Sequence, residues 1–308
     1  MTPDDHWVAL GWDDGWERAL ASLPGRPARI ARVDRGRLRI LERQGPVSVD
    51  PPLDGPPLVT GDWVACADDG DRPVVVGRAE RRTELVRRDP AEEPRPQVLA
   101  ANMDQVWVVH AVDQPLRAGW LDRALVVAFG SGGDPLVVVT KADVRDPAPV
   151  VDEVAALAPG VPVVTVSVVG RRGITDLAAR LDCGRCAALL GRSGAGKSSL
   201  VNALAGVSAQ RTGAVRGPDA RGRHTTTRRA LARAAGGTVI DTPGVRALGL
   251  WESAVGLAGA FPEIAELAPG CHFADCRHSH EPGCAVRAAV EAGTVDRSRY
   301  DRYIALSS

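Results

Sequence analysis

Nine residues constrain this chain more than any others: Gly191-Arg192-Ser193-Gly194-Ala195-Gly196-Lys197-Ser198-Ser199. They fit G-x-x-x-x-G-K-[ST], a loop whose backbone N–H groups turn inward around phosphate oxygens. Cys186 to Leu190 is a short apolar run that predicts a buried strand before it. Leu200, Val201, Leu204 and Ala205 recur at helical spacing after it, and Gly206 is placed to end the helix. Strand, glycine turn and helix start together bring backbone donors and partial positive charge to a phosphate. Lys197 is placed to reach the β- and γ-phosphates, and the Ser198 hydroxyl to ligate Mg²⁺.

The surrounding pattern agrees with such a loop. Val106 to Val109, Leu136 to Val139 and Val163 to Val166 read as strands. Trp120 to Ala128, Val151 to Leu157 and Ile174 to Leu181 read as helices between and after them. Strands alternating with helices predict a mostly parallel sheet covered on both faces. Earlier in the chain the grammar differs. Ile30 and Val33, Leu38 and Ile40, Asp62 to Cys66, and Val74 to Val76 are short β-like runs with tight turns. They predict a small barrel such as an OB-fold.

The expected organisation is therefore a lead-in over 1–25, an OB-fold over 26–98, an α/β phosphate-loop domain over 99–250 and a mostly helical domain over 251–308. Pro90, Pro94 and Pro96 make 84–98 read as a linker. In the lead-in, Trp7, Leu10, Trp12 and Trp16 are candidates to pack on a neighbouring surface.

Net charge is zero, so overall electrostatics do not mark a nucleic-acid binder. The arginines are nonetheless clustered: Arg26, Arg29, Arg32, Arg35, Arg37, Arg39 and Arg43 fall in one stretch, and Arg211 to Arg233 in another. Only two lysines occur, Lys141 and Lys197. In a chain that otherwise uses arginine, they mark sites where a compact ammonium on a flexible stem is needed. No apolar run approaches a membrane span, and the N-terminus lacks a secretory pattern, so a cytoplasmic protein is expected.

Asp241-Thr242-Pro243-Gly244 follows the apolar strand Thr238 to Ile240. There an Asp meets the Mg²⁺ shell and a Gly N–H meets the γ-phosphate. In Gly222-Arg223-His224-Thr225-Thr226-Thr227, one threonine is expected to close on Mg²⁺; Thr226 and Thr227 are both candidates. Thr140-Lys141-Ala142-Asp143 follows a strand and resembles the guanine-specifying Asn-Lys-x-Asp tetrapeptide. Asp143 would accept from N1–H and the 2-amino group of guanine, and the Lys141 stem would cover the base. Thr140 replaces the usual Asn, and its hydroxyl supplies only part of that amide's bonding. Ser167 fits the short loop that also contacts the base.

Six cysteines without a secretory signal favour metal over disulfides. Cys271, Cys276, His278 and Cys284 offer three thiols and an imidazole for tetrahedral Zn²⁺, with His272 and His280 as rivals by proximity. Cys183 and Cys186 read as two ordinary small residues.

The order of the motifs is unusual. Here the guanine tetrapeptide precedes the phosphate loop, which is a circular permutation of the ordinary GTPase. With a small barrel ahead and a Cys/His cluster behind, the chain resembles the RsgA family, the circularly permuted GTPases of small ribosomal subunit biogenesis. The residues that carry it are Gly61 to Val64, Val98 to Gln105, Thr140 to Asp143, Gly191 to Leu200, Gly222 to Thr227, and Asp241 to Arg246. The match extends through Cys271, Cys276, His278 and Cys284, which the resemblance assigns as the zinc ligands.

The resemblance implies GTP/GDP with Mg²⁺, one structural Zn²⁺, the small (30S) subunit and its 16S rRNA as partners, no membrane association, and a monomer. It implies hydrolysis stimulated by the subunit and linked to release late in maturation. Val245 stands where many GTPases place a water-orienting Gln. His224 is the replacement by chemistry, and the resemblance supports it. Gly194 stands where some related GTPases carry a K⁺-binding Asn, so that device is not expected. The competing readings are a non-hydrolysing, guanine-nucleotide-controlled RNA-binding module and, given Thr140, an ATPase.

Overall fold

The computed structural model describes residues 3–34, 36–52, 54–69, 72–89, 95–212, 229–244, 248–251 and 254–307. The chain opens with α1 (Pro3–Val8) and α2 (Asp14–Leu20), the second capped by the Asp13 carboxylate, which accepts from Trp16 N at 2.9 Å. Trp7, Leu10 and Trp16 are buried. They and Trp12 pack around Trp63, with ring centroids 5.4 Å (Trp7) and 5.1 Å (Trp12) from it. The lead-in is thus part of the core.

Five antiparallel strands follow: β1 (Arg26–Asp34), β2 (Arg37–Glu42), β3 (Gly45–Val49), β4 (Trp63–Asp69) and β5 (Arg72–Arg78). Their order is β3-β2-β1-β4-β5. Period-two alternation sets their faces. Leu38 and Ile40 point inward with Ala28, Ile30, Val64 and Val75, whereas Arg37 and Arg39 are exposed. A single parallel bridge joins Asp50 to Val74.

The segment read as a linker is in fact an antiparallel hairpin, β6 (Glu84–Arg88) with β7 (Pro96–Ala101). Leu85, Leu99, Ala100 and Ala101 are buried in it. Its prolines misled because Pro96 opens the strand, a place where a missing N–H is tolerated.

The second sheet contains β8 (Gln105–Ala111), β9 (Asp134–Thr140), β10 (Val163–Thr165), β11 (Cys186–Gly191), β12 (Ala230–Ala234) and β13 (Gly237–Asp241). The order is β10-β9-β8-β11-β13-β12, parallel except for the β12–β13 hairpin. Helices α3 (Ala118–Gly130), α4 (Ala148–Leu157), α5 (Ile174–Ala179) and α6 (Lys197–Thr212) accompany it. Every residue of β8 and β11 is buried, as a central parallel strand requires. Helix α6 runs past Gly206 rather than ending there. One interior glycine costs a helix only about 1 kcal/mol, too little to end it by itself.

The C-terminal part is helical: α7 (Ala254–Ala260), α8 (Pro262–Leu267), α9 (Ala285–Glu291) and α10 (Arg297–Ser307). α7 lies hard against α3, for a Cβ on Gly256 would come within 2.1 Å of the Val126 carbonyl oxygen. From α10, Arg299 pairs with Glu263 and donates to the carbonyls of Leu157 and Ala260 at 2.6 Å each. Arg302 meets the buried Asp122 of α3 at 3.1 Å. Among the described residues, no helix is long and apolar enough to cross a membrane.

Arg29 stands apart from the arginine cluster in which the sequence places it. It is 1% exposed. Its guanidinium donates to the carbonyls of Leu10 and Asn102, the latter at 2.7 Å, with Gly61 O and Thr238 Oγ1 at 3.4 Å. One side chain therefore ties the lead-in, the first sheet and the second sheet together.

Candidate nucleotide and metal sites

Strand β11 delivers Gly191 to the end of the second sheet, and α6 begins at Lys197. Gly194 (φ +79°) and Gly196 (φ +88°) adopt left-handed backbone between them, where a side chain would be strained. The Lys197 ammonium donates to the carbonyls of Gly191 at 2.7 Å and Arg192 at 3.2 Å. Burial pushes this ammonium below its ordinary pKa, and Asp241 pulls the other way. Burial penalises the charged form, and the Asp241 carboxylate offsets part of that cost, as bound phosphate oxygens would.

β13 ends beside β11, which brings Asp241 to the same place. Ser198 Oγ donates to Asp241 Oδ2 at 3.1 Å. These hard oxygen donors, facing each other at the mouth of a phosphate loop, fit Mg²⁺. Thr242 Oγ1 donates to Leu189 O at 2.5 Å and fixes the turn that follows. Gly244 lies directly on the loop: a Cβ there would come within 2.9 Å of Ser193 N and Cα. A cleft of about 260 Å³ is lined by Lys141, Ser193 to Ser199, Thr242 and Gly244.

β9 ends at Thr140, two places across the sheet from β11. The buried Thr140 hydroxyl donates to Ala195 O at 2.7 Å, with His110 O at 3.3 Å. Lys141 has left-handed backbone (φ +59°), and its ammonium pairs with Asp113 at 2.8 Å. Ser167 Oγ donates to Asp143 Oδ1 and accepts from Gly170 N at 2.7 Å. Ala142 N donates to Val166 O at 3.1 Å. The tetrapeptide, Ser167 and the phosphate loop thus share one end of the sheet. His224, Thr226, Thr227 and Val245 lie outside the described residues.

Asp113 and Gln114, in the turn after β8, were not singled out from the sequence. Their signal is modest: two polar residues just beyond Val112, after a fully buried strand.

Thirty residues beyond the second sheet, Cys271, Cys276, His278 and Cys284 bring their ligand atoms within 4.8 Å of one another. His278 Nδ1 is 3.5 Å from both Cys271 Sγ and Cys284 Sγ, and those sulfurs are 3.9 Å apart. Tetrahedral Zn²⁺ with ordinary bond lengths requires S···N edges of about 3.5 Å and S···S edges of about 3.8 Å. The residues fit the metal. His278 takes a left-handed backbone (φ +61°), and its carbonyl accepts from Tyr300 OH at 2.6 Å. His272 instead meets Phe273 edge to face, and His280 contacts Ser279. Cys183 is exposed and Cys186 is buried at the start of β11.

The family model described as RsgA GTPase matches residues 78–251. A curated relative from Streptomyces coelicolor, named small ribosomal subunit biogenesis GTPase RsgA, is 44% identical over 96% of this chain and 84% of its own length. One of the same name from Mesorhizobium japonicum is 41% identical over 97% of this chain and 88% of its own. Among solved structures, YjeQ from Thermotoga maritima superposes with a TM-score of 0.63 at 25% identity, covering 92% of this chain and 97% of that one. YloQ, described as a circularly permuted GTPase, gives 0.62 at 24% over 92% and 93%, a likeness of fold. The permuted order of base motif and phosphate loop, built here on one continuous sheet, agrees with these matches along nearly the whole chain: it belongs to the RsgA GTPase family.

Proposed function

We propose that this chain binds the small (30S) ribosomal subunit and hydrolyses GTP late in its maturation, with the subunit stimulating hydrolysis and hydrolysis linked to release. The observation that carries the reading is the convergence of Lys197, Ser198, Asp241 and Gly244 at one cleft with the Thr140–Asp143 tetrapeptide beside it. The residues have distinct tasks. Backbone donors of Gly191 to Ser199 cradle the phosphates, and Lys197 turns from its two carbonyls to the β- and γ-oxygens. Ser198 and Asp241 would hold Mg²⁺, which would supply charge neutralisation to the phosphates. Gly244 N–H reads the γ-phosphate. Asp143, Lys141 and Ser167 hold guanine. His224 orients the attacking water in place of Val245, and Thr226 or Thr227 closes over Mg²⁺.

The first sheet is read as an OB-fold barrel, supported by its strand order and by the parallel Asp50–Val74 bridge where β3 and β5 meet. The exposed Arg37 and Arg39 of its β1–β2 hairpin are the proposed 16S rRNA contacts. Zn²⁺ on Cys271, Cys276, His278 and Cys284 gives the C-terminal loop the rigidity that its few apolar residues do not. The protein acts as a cytoplasmic monomer. Phosphate release by the purified chain, with and without small subunits, tests the reading. Hydrolysis rises at least tenfold with subunits (about 1.4 kcal/mol of barrier), and His224→Ala abolishes the rise. Equal rates with and without subunits would refute the ribosomal role, and absent turnover in both would leave a nucleotide-controlled RNA-binding module.

A further inference from the structure

Thr140 brings one hydroxyl hydrogen to a position where an Asn brings two amide hydrogens. In this protein that hydrogen goes to the phosphate loop, at Ala195 O. A second tie to the same loop comes from elsewhere. Gln114, in the turn between β8 and α3, directs its Nε2 at Ser193 O, 3.4 Å away. Its backbone is fixed on both sides: Gln114 N donates to Ala111 O at 2.9 Å, and Gln114 O meets His110 Nε2 at 3.1 Å. The space its amide occupies exists because residue 194 is glycine, for a Cβ on Gly194 would lie 3.1 Å from Nε2.

The neighbouring residue acts on the base motif itself. Asp113 receives the Lys141 ammonium at 2.8 and 3.1 Å. Both side chains are about one-third exposed (37% and 35%), so the pair contributes little stability. Its consequence is geometric. It draws the end of Lys141 towards β8 and sets the line of the stem that flanks the cleft.

We propose that the β8–α3 turn is a positioning element of the base site, Gln114 giving the phosphate loop the amide donor that Thr140 lacks and Asp113 setting the Lys141 stem. The proposal rests on the guanine reading of Thr140 to Asp143. It makes nucleotide affinity in this chain depend on two residues outside the tetrapeptide. Both act through others, Gln114 through Ser193 and Asp113 through Lys141.

Equilibrium binding of a fluorescent GDP to the full chain tests it. Gln114→Ala weakens binding about three- to tenfold, the worth of one hydrogen bond. Gln114→Glu keeps the size but replaces the donor with an acceptor, and weakens binding at least as much. Thr140→Asn restores the Gln114→Ala protein to within about twofold of wild type and gains less in the wild-type background, the signature of a shared role. Asp113→Ala raises KM for GTP about threefold with kcat unchanged, and Asp113→Glu recovers it. Wild-type affinity in Gln114→Ala, or an equal gain from Thr140→Asn in both backgrounds, overturns the Gln114 assignment. An unchanged KM in Asp113→Ala overturns that of Asp113. Asp143→Asn tests the underlying reading separately: it exchanges a carboxylate for an amide and should shift preference from GTP to XTP. No shift there refutes the guanine site itself, whereas a shift with an inert Gln114 refutes this inference alone.

Discussion

At the scale of single residues, burial decides which side chains matter. His110 sits inside the second sheet, 4% exposed, with its Nε2 on the Gln114 carbonyl. Burial lowers its pKa below the ordinary 6.5. The unfolded chain therefore takes up a proton near pH 6.5 that the folded chain resists, so stability is lost as pH falls from 6.5 towards the lowered value. The slope is at most about 1.4 kcal/mol per pH unit for one group. Urea unfolding at pH 7 and pH 5.5 should show a smaller loss in His110→Gln than in wild type. Identical losses would remove His110 from the acid response. The phosphate loop was legible in the sequence because its requirements are local: glycines for backbone, one lysine, one hydroxyl. Arg29 was not. Its partners Leu10, Gly61 and Asn102 are up to 73 residues away, and nothing beside it in sequence announces them.

At the scale of elements, periodicity found nearly every strand of the second sheet but missed two kinds of feature. Prolines hid the β6–β7 hairpin, because composition was weighed above the alternation that buries Leu85 and Leu99. A glycine stopped α6 on paper, whereas the helix runs on to Thr212. The Cys/His loop was legible in composition, and the resemblance picked His278 from its three histidines; the fold supplies the reason, since His278 turns its ring between Cys271 and Cys284. The loop joins α8 to α9 with little apolar burial of its own, and Tyr300 of α10 is hydrogen-bonded to it. Strong chelation should release about one zinc per chain and lower the melting temperature by several degrees while nucleotide binding survives. Cys284→Ser should match it. Metal analysis finding no zinc in the purified protein would remove the site.

At the scale of the molecule, the units share one apolar core, and buried polar ties cross it. Arg29 is the densest of them. Arg29→Met keeps the bulk and removes the donors, leaving the carbonyls of Leu10 and Asn102 inside without partners. That costs about 3 kcal/mol or more. Thermal unfolding followed by tryptophan fluorescence in a chain with Trp107, Trp120 and Trp251 changed to Phe, which leaves Trp7, Trp12, Trp16 and Trp63 as reporters, should shift well below the transition seen by circular dichroism. Coincident, unshifted transitions would show that the lead-in is held by apolar packing alone.

Sheet order also has a consequence for how the chain is made. Within the second sheet, β8, β9 and β10 with their helices leave the ribosome first, and they carry the base motif. The partner that β8 needs on its other side, β11, follows some seventy-five residues after β8 ends, with Asp104 waiting to accept from Cys186 N. Until then a strand that the finished fold buries along its whole length is an open, sticky edge. The nascent protein can thus assemble the half that names the base before the half that grips the phosphates exists, and the strand that closes its greasiest seam is the one that brings the grip.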